Sequence, residues 1–175
     1  MNVFSSLIIG VLISSLVGAF GGEDANHVKG EVLEFGTYNV LARKADVQAP
    51  AGSGKQESPV HIVTAVEFLE HTNCIVSRKG TSFGFRYKLT GLPDEPVVLD
   101  FETIHPEFTL PNGSKDSGRV VHGECETKGG VWESTMGYHF DEDFEMVEGD
   151  WVMSVYYNKT KLVSQIFHVR TAGNQ

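Results

Sequence analysis

The feature that most constrains this chain is an alternation of apolar and polar side chains with a period of two. It is clearest at residues 82–90, where Phe83, Phe85, Tyr87 and Leu89 alternate with polar or small residues. Successive side chains of a β-strand point to opposite faces, so this pattern indicates a strand with one buried face. Beyond the N-terminal segment, no window sustains the apolar repeat of a helix. The chain is therefore predicted to be all-β.

Eight segments share this character and are predicted to be strands. They are short, rich in apolar side chains and separated by Gly, Pro or Asn: residues 30–41, 60–71, 82–90, 96–104, 118–124, 135–140, 151–157 and 161–169. The last two flank Asn158, Lys159 and Thr160, a short connection that indicates a hairpin. This arrangement predicts one antiparallel, immunoglobulin-like β-sandwich of about 7–8 strands.

The longest interruption covers residues 42–59. It is polar, rich in small residues and contains two prolines, Pro50 and Pro59. These properties predict an exposed loop within the domain. The loop is either a binding element or a solvated connection with no task of its own.

The N-terminal segment has the features of a signal peptide. Residues 1–19 carry no charged side chain and end in Val17, Gly18 and Ala19, small or modest residues of the kind that precede a cleavage site. We therefore predict a signal peptide at residues 1–19, a short tail at residues 20–30 and the β-sandwich at residues 31–170. The predicted location is periplasmic or secreted, in a bacterium. The alternative is that the segment stays uncleaved and anchors the chain in a membrane.

Length and charge limit the classes of partner. The chain has 175 residues, with 14 Lys and Arg against 23 Asp and Glu, and a formal net charge of −9. Without the leader this is enough for one domain with a real core. Nucleic acid and anionic lipid favour basic proteins, so neither is an expected partner, and a membrane is expected only through an uncleaved leader. A protein or a small ligand is the expected partner.

Several short stretches together resemble one family of bacterial domains, the domain of unknown function DUF3859. They are spread from residue 31 to residue 169 and comprise Phe35 to Tyr38, Ala49-Pro50 with Ser53-Gly54, His71-Thr72, Gly80 to Tyr87, Gly91 to Pro93, His105-Pro106, Phe140 to Glu142, Phe144-Glu145, Gly149 to Trp151, Lys161-Leu162, Gln165, Phe167 and Val169. The resemblance implies an immunoglobulin-like sandwich and no particular activity. Phe144 departs from the family pattern, which favours a Pro-Trp pair there, and the two cysteines are additions of this sequence.

Cys74 and Cys125 are the most informative single residues. Export to an oxidising compartment favours a disulfide between them, and closing the loop would stabilise the fold by about 4 kcal/mol in the chain-entropy model. In an immunoglobulin-like layout the strand that ends near His71 commonly pairs with the strand that begins after Cys125. A Cys74–Cys125 disulfide is therefore the leading prediction.

A metal site and free thiols are the alternatives to the disulfide. Each cysteine follows a histidine at the same spacing, as His71 precedes Cys74 and His122 precedes Cys125. Two thiolates and two imidazoles are a ligand set that suits zinc or copper. The pattern of one His three residues before one Cys is weak by itself, so the Cys2His2 site stays an alternative. Otherwise no cofactor is expected.

The motifs of common hydrolases are absent from the sequence, namely Gly-x-Ser-x-Gly, His-Glu-x-x-His and a phosphate-binding loop. No catalytic residue is therefore predicted. The acidic run at residues 141–150 is interpreted as a turn held to the core by Phe140 and Phe144, with its carboxylates in solvent. We expect an exported, non-enzymatic binding or accessory domain. A metal-binding protein and a hydrolase with an unrecognised site remain the other hypotheses.

Overall fold

A computed structural model describes residues 28–43, 47–48, 59–60 and 63–171. The predicted signal peptide at residues 1–19 and most of the predicted tail lie outside the described residues, as does most of the predicted loop at residues 42–59. Within the described ranges, no helix is long and apolar enough to cross a membrane. Export and the cleavage of the leader therefore stay predictions.

The described residues form strands almost throughout. In chain order these are β1 (Lys29–Arg43), β2 (Val47–Gln48), β3 (Pro59–Val60), β4 (Val63–Glu70), β5 (Cys74–Ser77), β6 (Ser82–Thr90), β7 (Val97–Thr109), β8 (Lys115–Cys125), β9 (Val131–His139), β10 (Gly149–Tyr157) and β11 (Thr160–Thr171). A short 3-10 helix, Asp143–Glu145, precedes β10. The prediction of an all-β chain is confirmed.

Two sheets make up the sandwich. The four-stranded sheet has the order β4-β1-β6-β9, and the five-stranded sheet has the order β5-β11-β10-β7-β8. β2 and β3 form a separate two-stranded pair. Neighbouring strands are antiparallel except β5, which runs parallel to β11. The sandwich thus has one strand more than the upper limit of our prediction, because the four-residue strand β5 is too short to show a period.

The core lies between the sheets and is mainly aromatic. Phe83, Phe85, Tyr87 and Leu89 of β6 are fully buried, as the alternation predicts. Trp151, Met153 and Val155 of β10 meet them from the other sheet and are also fully buried. Each such side chain contributes about 1.5–3 kcal/mol through removal of apolar surface from water.

Two strand boundaries differ clearly from the prediction. β7 continues past residue 104 to Thr109, with a shift in its register against β8 between Ile104 and Phe108. Pro106 lies within this shift; it cannot donate a backbone hydrogen bond, which fits an irregular part of a ladder. β9 begins at Val131 rather than at residue 135, because its first residues pair regularly with β6.

Three glycines lie opposite one another across the four-stranded sheet. Gly36 of β1 pairs with Gly84 of β6, which pairs with Gly137 of β9. A Cβ atom on Gly137 would collide with the hydroxyl of Tyr38, so the tyrosine side chain packs over this row. A Cβ on Gly36 would collide with the carbonyl oxygen of Glu70 on β4. The row therefore permits close approach of both a side chain and a neighbouring strand.

The hairpin between β10 and β11 is confirmed, and it contains two left-handed residues. Asn158 has φ 47° and Lys159 has φ 66°. Positive φ at both central residues is the mark of a type I′ turn, which favours Asn-Gly.

We expect Lys159→Gly to raise the free energy of unfolding by about 0.5–1 kcal/mol, measured by urea denaturation. Lys161→Gly, a control inside β11, should instead lower it, and a loss for Lys159→Gly would contradict the turn assignment.

Candidate functional site

The two cysteines lie on opposite edges of the five-stranded sheet. Cys74 begins β5 and is exposed, whereas Cys125 ends β8 and is buried. Three strands separate them, which corresponds to about 19 Å at the usual strand spacing. A disulfide requires Cα atoms within about 7 Å. The predicted disulfide is wrong, and both thiols are free.

The error came from the assumed strand pairing. β4, which ends just before His71, and β9, which follows Cys125, are the two edge strands of the four-stranded sheet rather than neighbours. β1 and β6 lie between them. The chain positions that we expected to share one sheet end are therefore separated by the width of a sheet.

The same separation affects the predicted Cys2His2 site. His71 packs edge-on against Phe35, with ring centroids 4.2 Å apart, near the Cys74 edge. His122 lies on β8, where its Nδ1 is 2.7 Å from Oδ1 of Asp100. The structure does not bring the four proposed ligands together. Among the described residues, no group of three or more His, Cys, Asp or Glu side chains is arranged to hold a metal ion.

The two thiols are expected to differ in reactivity. Burial and the nearby Glu124 carboxylate raise the pKa of the Cys125 thiol to about 11, which keeps it protonated. The thiolate is the reactive form, so a thiol reagent at pH 8 should modify Cys74 quickly and Cys125 only after unfolding. Counting modified thiols by intact mass in buffer and in urea measures this. Cys74→Ser should abolish the fast reaction. If neither thiol of the wild-type protein reacted, even after unfolding in urea without reductant, the assignment of free cysteines would be contradicted.

Stretches that resemble the family converge at one end of the sandwich, around His105. This side chain is buried, and its ring is stacked between Phe108 and Trp151, with centroids 4.5 Å and 4.6 Å away. Its Nε2 lies 3.7 Å from Oδ1 of Asp116 on β8. Tyr138 also packs against the Trp151 ring, 4.7 Å between centroids, and its ring lies 6.4 Å from that of His105. The geometry describes a packed aromatic cluster that joins the two sheets.

Glu145 holds the acidic turn against this cluster. Its Oε1 accepts a hydrogen bond from the Tyr138 hydroxyl at 2.9 Å, and its Oε2 accepts the backbone N–H groups of Asp141 and Glu142. Burial, reinforced by the Glu145 charge, raises the pKa of Tyr138 well above its usual range. The tyrosine therefore stays a hydrogen-bond donor. The turn is held to the core as predicted. The Glu145 carboxylate, however, accepts hydrogen bonds from the protein instead of pointing freely into solvent.

A second surface is formed by three neighbouring strands of the five-stranded sheet. Alternate residues of β10 and β7 point away from the core, because the residues between them are mostly buried, and the register with β7 places alternate residues of β8 beside them. We call this surface the acidic-aliphatic face. It consists of Asp150, Val152, Ser154, Tyr156, Val98, Asp100, Glu102, Ile104, Gly118, Val120, His122 and Glu124, together with Ile166 of the adjoining strand β11. Of these, Ser154 is fully buried, and its Oγ lies 2.9 Å from that of Ser164 on β11.

Aliphatic side chains run across the strands of this face. Val152 pairs directly with Ile104 on one side and with Ile166 of β11 on the other. Ile104, Val120 and Ile166 are 48%, 44% and 44% exposed, although all three are large and apolar. Contiguous exposed apolar surface with a polar rim is typical of interaction sites.

The carboxylates of the face are arranged around this apolar row. Oδ1 of Asp100 lies 2.7 Å from His122, and Oε2 of Glu102 accepts a hydrogen bond from the Tyr156 hydroxyl at 2.7 Å. Asp150 contacts His168 of β11, also at 2.7 Å. Together with Glu124, the part of the face on β10, β7 and β8 has four carboxylates and no Lys or Arg. On the adjoining strand β11, Lys161 lies over the ring of Tyr156, with its Nζ 5.5 Å from the centroid. The face therefore presents negative charge beside aliphatic surface on the side of β7 and β8.

This surface was not recognised from the sequence. The period of two shows that Ile104, Val120 and Val152 alternate with core residues, but it does not show which strands are neighbours. Their juxtaposition depends on the register between β10, β7 and β8. The excess of carboxylates on the same alternate positions is the signal that was present in the sequence.

Comparison with known proteins decides the family. The model of the domain of unknown function DUF3859 matches residues 29–169. The chain belongs to this family. Its fold is similar to that of an immunoglobulin-like protein from Pseudomonas aeruginosa, which is 22% identical with a TM-score of 0.57, over 82% of this chain and 96% of that chain. Among curated proteins, none matches the chain. The predicted family and the immunoglobulin-like sandwich are thus confirmed for this DUF3859 domain.

Proposed function

We propose that this DUF3859 domain is an exported, non-enzymatic module that binds another protein through its acidic-aliphatic face. The observation that carries the proposal is the row formed by Ile104, Val152 and Ile166 across three strands of a solvent-facing sheet surface. Immunoglobulin-like sandwiches include domains that bind other molecules through exposed surfaces, and this likeness of fold supports a binding role by analogy. The predicted leader at residues 1–19 supports a role outside the cytoplasm.

The polar groups of the face also support contact with a protein surface. Asp100, Glu102 and Asp150 each have a hydrogen-bonding partner on the next strand. Covering these pairs costs less than covering isolated carboxylates, because each charge keeps a partner after water is removed. A flat apolar surface with such a rim resembles the anatomy of protein interfaces.

Co-purification with matched surface variants tests the binding role. We expect the wild-type protein to retain a discrete partner from its own organism, and Ile104→Asp to lose it, since the variant places a charge within the apolar row. Leu69→Asp is the control because Leu69 is similarly exposed, at 55%, on β4 of the other sheet. Equal retention by wild type and Ile104→Asp would overturn the proposal, provided that urea denaturation shows both variants to be folded.

The mass of the protein isolated from its own organism tests the exported location. We expect the mature chain to begin at Phe20 or Gly22, which corresponds to cleavage after Ala19 or Gly21. Cell fractionation should place this form outside the cytoplasm. A full-length mass in the cytoplasmic fraction would contradict export without affecting the binding surface.

A further inference from the structure

We propose that β8 receives an extended segment of the partner as an additional strand, and that this segment carries aliphatic and basic side chains. The inference rests on the binding role proposed above and names the partner's chemistry. β8 is the last strand on its side of the five-stranded sheet, and among the described strands only β7 pairs with it. The backbone groups on the outer side of an edge strand are the usual template for strand addition.

β8 is the edge that borders the acidic-aliphatic face. It extends over 11 residues, whereas the opposite edge of the same sheet, β5, has 4. A strand added beside β8 would place alternate side chains on the face, next to Val120, His122 and Glu124. The remaining side chains of the added strand would point to the opposite side of the sheet, on the same side as Arg119 of β8. The longer edge therefore extends the surface that carries the exposed aliphatic row.

The chemistry of the segment follows from its neighbours on the face. An aliphatic side chain opposite Val120 would cover exposed apolar surface. A longer one opposite Gly118 can reach Ile104, because Gly118 pairs with Ile104 and has no side chain of its own. Glu124, with Asp100 and Glu102 behind it, favours Lys or Arg on the segment. A segment that alternates aliphatic and basic residues on one side matches both features.

A synthetic peptide provides a defined probe for this surface. It has about nine residues: the odd positions carry Val and Lys in turn, and every even position carries Thr. A second peptide has Glu in place of each Lys. We expect the Lys peptide to bind the purified protein at least about tenfold more tightly at low salt, and the difference to fall to about twofold at high salt. Equal binding of the two peptides would overturn the basic character of the segment.

Two variants locate the charge effect. Glu102→Gln combined with Glu124→Gln should reduce the preference for the Lys peptide several-fold, because both changes remove charge and keep a hydrogen-bonding side chain. Glu133→Gln, on the exposed side of β9 in the other sheet, should leave the preference unchanged. If the double variant and Glu133→Gln reduced the preference for the Lys peptide equally, the preference would reflect general attraction by a protein of net charge −9. That result would overturn the assignment to this face.

N-methylation of the peptide tests strand addition itself. Only alternate amides of an added strand donate to β8, so methylation of one alternate set should abolish binding and methylation of the other set should not. Equal binding by both methylated peptides would overturn strand addition, as would dimerisation of the protein through β8. If Ile104→Asp loses the native partner while the peptide fails to bind, the face remains a binding site and only the segment chemistry is wrong.

Discussion

Gly36→Ala is expected to lower the free energy of unfolding by about 3 kcal/mol, one of the two largest effects in this protein. Gly36 has φ 146°, a conformation that residues with a Cβ rarely adopt, and a Cβ there would collide with the carbonyl oxygen of Glu70. The backbone strain costs about 1–3 kcal/mol and the overpacking a similar amount. Urea denaturation followed by circular dichroism measures the loss.

Gly113→Ala separates these two causes. Gly113 also has a positive φ, 82°, but a Cβ there would meet no atom within 4 Å. It should therefore show only the cost of the left-handed conformation, about 1–2 kcal/mol. A loss at Gly36 no greater than that at Gly113 would contradict the close contact between β1 and β4.

Trp151→Ala is expected to cost about 3–5 kcal/mol, since it removes the largest buried side chain of the core. The indole ring stacks on His105 and meets Phe83 and Phe140 edge-on, at 5.8 Å and 5.5 Å between centroids. Its removal therefore leaves a cavity between the two sheets and exposes one face of a buried imidazole. Thermal and urea denaturation of the variant measure the change.

Trp132→Ala is the matched control, because Trp132 is the other tryptophan of the chain. It is only partly buried, at the margin of the core, and its Nε1 donates a hydrogen bond to the Tyr87 hydroxyl at 3.3 Å. We expect a smaller loss, about 1–2 kcal/mol. Similar losses for the two variants would show that the cluster around His105 does not hold the sheets together.

Local alternation was enough to predict most of the fold. Residues 82–90 were predicted as a strand and form β6 with the same bounds, because one face of that strand packs entirely against the other sheet. β10 and β11 were predicted for the same reason, and the residues between them specify a tight turn. β5 was missed because Cys74–Ser77 is held by parallel pairing with β11, a contact distant in sequence.

The candidate sites depended on pairing that the sequence does not show. The disulfide and the Cys2His2 site both assumed that the strands near His71 and Cys125 are neighbours, and the observed strand order separates them. The acidic-aliphatic face is the converse case, because it was not predicted and the strand order brings its residues together. Ile104 and Val120 are ordinary exposed residues when taken singly, Val152 is partly exposed, and the three become a surface only through the registers of β10, β7 and β8.

The most direct test of the binding role compares exposed and partly exposed apolar positions of the two sheets in living cells. A photoreactive amino acid is placed at Val120, Val152 or Ile166 on the five-stranded sheet, or at Leu41 or Leu69 on the four-stranded sheet. We predict one discrete crosslinked product, shared by the first three positions and absent from the last two. The same product from Leu41 and Leu69, or no discrete product from the five-stranded sheet, would contradict a binding role for the acidic-aliphatic face.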